Sequence, residues 1–285
     1  MKHPRSDGAG FCARARRNPS FVLGALLTTL FAGAALLSLV WTPWPAAEID
    51  IPNKLAAPSA AHWLGTDSLG RDIASQLLVG ARTSILVGVV AVLIGLLAGV
   101  LLGAVASARR GWVEEAVMRL SDFTFAFPAL LSAIMLGAIY GPGLMTGIVA
   151  IGIFNIPVFA RTTRAAANAV WAREYVLAAR AAGAGPRRIT LDHVLPNIAS
   201  ILIVQATVQF ATAIIAEAAL SYLGLGTQPP TPSWGRMLNE AQTQMFQAPQ
   251  LAIYPGVAIA LAVLGLNLMG DGLRDLLDPK LARRR

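Results

Sequence analysis

Six mostly apolar stretches, at roughly 21–41, 84–106, 123–140, 143–160, 198–220 and 251–270, alternate with polar segments along the chain. An apolar helix of about 20 residues matches the ~30 Å hydrocarbon core of a bilayer. Each stretch therefore predicts a membrane-crossing helix. Pro128 interrupts the third. The turn Gly141-Pro142-Gly143 predicts that the third and fourth helices are antiparallel neighbours. Between the fourth and fifth stretches lies a polar insert, 161–197, far longer than a turn requires. Leu177 to Ala182 favours helix, Gly183 can end it in a left-handed conformation, and Pro186 suits the start of a second short helix over 186–194.

Within the second stretch, Gly88, Gly95, Gly99 and Gly103 fall on one side of a helix. A stripe of that kind lets a neighbouring backbone approach closely in a bilayer. Leu69, Ile73, Leu77 and Leu78 recur at helical spacing and predict a short helix over 67–80, either lying on or near the outer surface or serving as a lead-in that orients the second span. In the fifth stretch Gln205, Gln209 and Thr212 share a face. Polar side chains at that depth line a passage or bond to a neighbouring helix, and both readings stay open. Glu217 stands close to the outer end of its span, where a carboxylate reaches water or a headgroup. It is read as a gate, a protein contact or a packing hydrogen bond. Asn155 and Asn267 are equally open, and Pro157 predicts a kink.

Composition agrees with a bilayer solvent: 55% of residues are hydrophobic and only 13% charged, about half the charged share of soluble domains. The formal net charge of +8 does not mark a nucleic-acid binder, because of where the charge lies. All but four of the 23 Lys and Arg residues fall on one side of the six stretches, the exceptions being Lys54, Arg71, Arg82 and Arg236. That bias places both termini and the 161–197 loop in the cytoplasm. The first apolar stretch exceeds the 7–15 residues or so of a signal-peptide core and reads as a retained span. The organisation expected is an N-terminal tail, first helix and external segment over 1–83, then a five-helix core over 84–285. Trp41, Trp44 and Trp63 suit the membrane–water interface.

Several chemistries are absent from the sequence. No lysine follows a glycine-rich phosphate loop, since Lys2, Lys54 and Lys280 are the only three. His3, His62 and His193 are dispersed over tail, outer segment and inner loop, and the single Cys12 excludes an internal disulfide. The chain is expected to be neither an enzyme nor a holder of metal or cofactor. A stand-alone secondary transporter or channel is the competing class, although ionisable groups for ion coupling are missing from mid-span. An intramembrane enzyme and a DNA-binding helix-turn-helix over 178–189 fit the residues less well.

Ala178-Ala179, Gly183 and then Leu195-Pro196 resemble the EAA loop of ATP-binding-cassette importer permeases. The sequences 65–72, 80–84, 220–226, 233–235 and 267–279 resemble the C-type subunits of dipeptide, oligopeptide and nickel permeases in the same order. The resemblance implies an all-α type I permease fold with six transmembrane helices in a bacterial inner membrane. It also implies a coupling helix that docks on a cytoplasmic ATPase, where ATP and Mg would be bound. Residues Glu174, Leu177, Ala178, Ala179, Gly183, Ala184, Pro186, His193, Leu195 and Pro196 would form that coupling loop. Leu177 replaces the family's acid and His193 an apolar residue, so Glu174 becomes the alternative ionic contact. Further implied partners are a homologous second permease and an external substrate-binding protein, with Trp234 and Arg236 as candidate contacts for the latter. Cargo within that group ranges over di- and oligopeptides, nickel, glutathione and D,D-dipeptides.

Overall fold

A computed structural model describes residues 8–277. The terminal basic residues Lys2, Arg5, Lys280 and Arg283 to Arg285, with His3, Asp278 and Pro279, lie outside the described residues. The α-helices of the described residues are α1 (Gly8–Arg17), α2 (Pro19–Val40), α3 (Ile73–Arg109), α4 (Gly111–Ala126), α5 (Ala129–Tyr140), α6 (Leu144–Trp171), α7 (Glu174–Ala181), α8 (Pro186–Ile189), α9 (Leu195–Tyr222), α10 (Trp234–Ala241) and α11 (Gln250–Leu277). Among them five helices are long and apolar enough to cross a membrane, and a sixth is counted if the bent pair α4 and α5 is taken as one broken span.

The third predicted span is the one that departs from a straight helix. Its two pieces meet at an angle of 82°. Pro128 cannot donate to the carbonyl one turn back, and the residue before a proline prefers extended geometry. Phe127 adopts it, with φ −96° and ψ 132°. With 12 residues, α5 is about 18 Å long, too short to cross alone. The turn at Gly141–Gly143 then reverses the chain as expected, with Gly141 at φ 89°.

The separate surface helix expected over 67–80 does not form. Helix begins at Ile73, capped by Asp72, whose Oδ2 accepts from the Ser75 amide at 2.7 Å, and it continues for 37 residues into the second span. The leucine spacing that predicted a short helix is the outer end of a long one. Likewise α8 does not stand apart. It passes through a widened π turn, Thr190–Val194, into α9, giving one continuous 37-residue helix from Pro186 to Tyr222. The widening falls immediately before Pro196 and relieves the clash its ring would make with the carbonyl four residues earlier. Helix α6 runs on through Pro157 and eleven residues beyond its predicted end.

The glycine stripe on α3 faces helix backbone. A Cβ at Gly99 would stand 2.5 Å from the Ile156 carbonyl, and one at Gly103 would stand 2.4 Å from that of Ala160. Thus α3 and α6 pack backbone to backbone, the association that dispersion favours between helices in lipid. On the other flank, α2 lies against α11, where Cβ atoms at Gly24 and Gly272 would meet Met269 and Phe21 backbone at under 3 Å.

Candidate functional site

The cytoplasmic insert folds into an exposed foot seated on the bundle. Helix α7 has one buried residue, Val176, which is fully enclosed. It packs with Trp171 at the end of α6 and with Ile189, Val194 and Ile198 at the start of the α8–α9 rod. The helix ends as the sequence predicted. Gly183 sits at φ 86°, its amide donates to the Arg180 carbonyl at 2.9 Å, and the Ala184 amide donates to that of Ala179 at 3.0 Å. That paired arrangement closes a helix through a left-handed residue.

The other side of the foot is unpartnered. Glu174, Ala178, Gly183 and Pro186 are exposed, as is Leu177 at 51%. Ala179 and Ala184 are half-buried. Such small residues around an exposed Leu177 make a shallow apolar face, open to a partner that can fill it. His193, where the resembling family carries an apolar residue, stands edge-on to Tyr175 with ring centroids 6.0 Å apart. Leu195 is partly buried against the same cluster, and Pro196 is exposed in the first turn of α9.

The candidate passage residues do not gather on an open face. Gln209 is buried, and its Nε2 donates to Asn155 Oδ1 on α6 at 3.1 Å; Asn155 Nδ2 in turn donates to the Ala91 carbonyl of α3 at 3.4 Å. This chain of bonds ties three helices together, the interhelical alternative for that stripe. Gln205 is half-buried, and Thr212 is exposed with its hydroxyl donating to the Val208 carbonyl.

On the outer side, Trp234, Arg236 and Glu217 are enclosed or paired. Trp234 is 3% exposed, so it is not presented to a docking protein or to headgroups. Its Nε1 donates to the Leu77 carbonyl at 3.0 Å and its ring lies 5.3 Å from that of Phe31. Arg236 is partly buried and paired with Glu240 at 2.9 Å. Glu217 is sealed rather than reaching water: at 3% exposure, its Oε1 accepts from the Ser221 hydroxyl at 2.7 Å and from that of Thr227 at 3.3 Å. The physical reason is local. The loop after α9 folds back over the helix end and covers the carboxylate, and the Leu225 and Gly226 amides both donate to the Leu220 carbonyl.

Sequence reasoning missed the ionic clamp beneath the outer segment. Asp67 accepts from the Leu69 and Arg71 amides, from Arg71 Nε at 2.6 Å and from Gln76 Nε2 at 2.8 Å. Arg71 also pairs with Glu240 of α10. Burial opposes the charge on Arg71, but the two carboxylates outweigh it and raise its pKa above the ordinary arginine value. The signal was present in part, since 65–72 stood out as a motif, but Glu240 is 169 residues away from Arg71. The pairs Glu114–Arg164 and Asp122–Arg161 on the cytoplasmic side were missed too, and no local pattern announces them.

A bundle of candidate membrane spans thus carries an exposed cytoplasmic foot rooted on α6 and the α8–α9 rod. Comparison with known proteins identifies the family. Residues 91–283 match the sequence model for the binding-protein-dependent transport system inner membrane component. The chain is similar to the glutathione transport system permease protein GsiD of Pectobacterium atrosepticum, 43% identical over 98% of this chain and 93% of that protein. It is also similar to the dipeptide transport system permease protein DppC of Alkalihalophilus pseudofirmus, 42% identical over 93% of this chain and 88% of that one. Its fold resembles a chain of the inward-facing MetNI methionine ABC transporter at a TM-score of 0.59 and 19% identity, covering 71% of this chain and 97% of the other. The chain belongs to the family of ABC importer permeases of the inner membrane, with the type I permease fold.

Proposed function

We propose that this chain is one of two homologous permease subunits of an importer for short peptides, driven by ATP bound with Mg on separate cytoplasmic ATPase subunits. A soluble binding protein would deliver substrate from outside, and the passage would form between the two permeases. The observation that carries the reading is the foot. Its outer face is exposed and shallow, while Val176 fixes its inner face to α6 and α9, both of which cross the membrane. Closure of the ATPases would push on 174–194 and tilt those helices as rigid bodies. Glu174, exposed one turn before Ala178, supplies the acidic contact in place of the family's acid. The names of the relatives favour peptides of two or three residues, and glutathione is the specific second reading.

The test is uptake by the complete complex in proteoliposomes, with labelled dipeptide or glutathione outside and ATP within. ATP-dependent uptake that survives an ionophore is expected. Gly183→Asp places a Cβ at φ 86° with no neighbour within 4 Å, so it perturbs backbone rather than packing. It should leave ATP hydrolysis uncoupled from uptake or release the ATPase. Wild-type coupling in that variant would refute docking through the foot, and uptake by this chain alone would refute the whole scheme.

A further inference from the structure

Helix α4 is held to the protein in an unusual way. Of its sixteen residues only Ser121 is buried. Its large apolar side chains point away from the bundle: Trp112 is 80% exposed, Leu120 59% and Phe123 63%. Among its apolar side chains only Val113, Val117 and Met118 are half-buried. Two ion pairs add to its attachment to α6. Glu114 Oε1 meets Arg164 Nε at 2.5 Å, and Asp122 pairs with Arg161, whose guanidinium also stands 4.6 Å from the centre of the Phe125 ring. Glu114 and Asp122 are about 12 Å apart along α4, whereas the two arginines lie within one turn of α6. Two fastenings that far apart resist rotation as well as separation.

The segment of α6 that carries these arginines leads directly to the foot. Only Ala172 and Arg173 separate α6 from α7. The Arg173 amide donates to the Val170 carbonyl, the Val176 amide donates to that of Arg173, and Val176 is enclosed against Trp171. Any displacement of α7 is thus a displacement of the end of α6. At the far end of α4 the chain bends by 82° at Phe127-Pro128, after which α5 is docked by Ala133 and Gly137. Helix α4 is an arm with a hinge at one end and two charge pairs along its length.

We propose that Glu114–Arg164 and Asp122–Arg161 form a strap that transmits movement of the foot to the broken span α4–α5, with Arg161 and Arg164 as positioning residues for transport. The inference rests on the reading of α7 as the docking helix. When α6 is pushed, the strap drags α4 with it, and the hinge turns that drag into a change of angle between α4 and α5. Since α5 alone is too short to cross the bilayer, that angle decides how the sixth span closes.

The complete complex in proteoliposomes tests this through the number of peptides imported per ATP hydrolysed. Arg164→Glu and Glu114→Arg each set like charges against one another, and the two together restore an opposite pair. Each single reversal should lower the ratio by about tenfold, within the usual range of coupling effects, with the ATPase still attached. The double exchange should bring it back to within about twofold of wild type. A wild-type ratio in either single variant, or a double exchange no better than the singles at equal membrane abundance, overturns the strap. Should the reversals be lost from the membrane, Glu114→Gln keeps the volume without the charge. It should then lower the ratio by about threefold, and an unchanged ratio overturns the proposal. Failure here with ATP-driven uptake intact leaves the proposed function standing. Uptake by the wild-type complex without ATP removes that function instead.

Discussion

Val176→Ala isolates the seat of the foot from its docking face. The side chain is fully enclosed, and its neighbours Ile189, Val194 and Ile198 are at most 1% exposed, so no solvent-facing group can collapse into the space. Removing two buried carbons forfeits about 1.6 kcal/mol of transfer energy, and the unfilled cavity brings the cost to about 2–3 kcal/mol. Helix α7 has only eight residues and no other buried side chain, and a helix of about two turns is not stable by itself. The loss should therefore appear as local opening of the foot rather than unfolding of the bundle. At about 1.4 kcal/mol per tenfold, amide exchange over 176–184 should quicken about 30- to 150-fold. The assay is hydrogen exchange on the detergent-solubilised complex, read beside peptides imported per ATP. Leu177→Ala is the control: its side chain is 51% exposed, so exchange in the foot of the free permease should stay near wild type. Unchanged exchange in Val176→Ala would refute the claim that this residue seats the foot.

Arg71→Ala should lower the thermal midpoint by an amount equivalent to about 2–4 kcal/mol, because the partly buried carboxylates of Asp67 and Glu240 lose the cation between them, Glu240 keeping Arg236 alone; a midpoint equal to wild type would mean that the clamp does not hold the outer segment. Since the Arg71 pKa is raised, its contribution is fully present below the unfolded value and is lost only as pH climbs past the folded one. Melting curves taken between about pH 5 and pH 9 should accordingly show no titration of the arginine. Gln209→Leu should destabilise by about 1–3 kcal/mol, since it strands the buried Asn155 carbonyl oxygen. Uptake per folded complex should survive that change, and loss of uptake at normal stability would return Gln209 to the passage.

The spans were legible because lipid imposes a length and a polarity on each of them, and the loop charges fixed their direction. The end of α7 was legible for a similar reason: only glycine enters φ 86° cheaply, and Gly183 follows a run of good helix formers. Trp234 was read as a surface residue because an outer loop with prolines around a tryptophan looks like an interface anchor. Its burial depends on Leu77 and Phe31, which are remote in sequence. For Glu217 a packing hydrogen bond was among the open readings and is what the fold makes, but the loop that covers the carboxylate is visible only once folded. The short helix expected over 186–194 and the span expected from 198 are one helix, because one widened turn carries it past Pro196. The exposed residues proposed for coupling were picked out by their resemblance to a known loop. Val176, which roots them, carries no motif.

The unbroken rod from Pro186 to Tyr222 has a geometric consequence for timing. Thirty-seven residues make a shaft about 55 Å long. Swung by about 10° about its inner tip, it carries its outer tip through roughly 10 Å in one stroke. Glu217 and Ser221 ride on that tip and grip Thr227. If the rod swings as one body, the loop that covers Glu217 travels with the inner foot on a single beam.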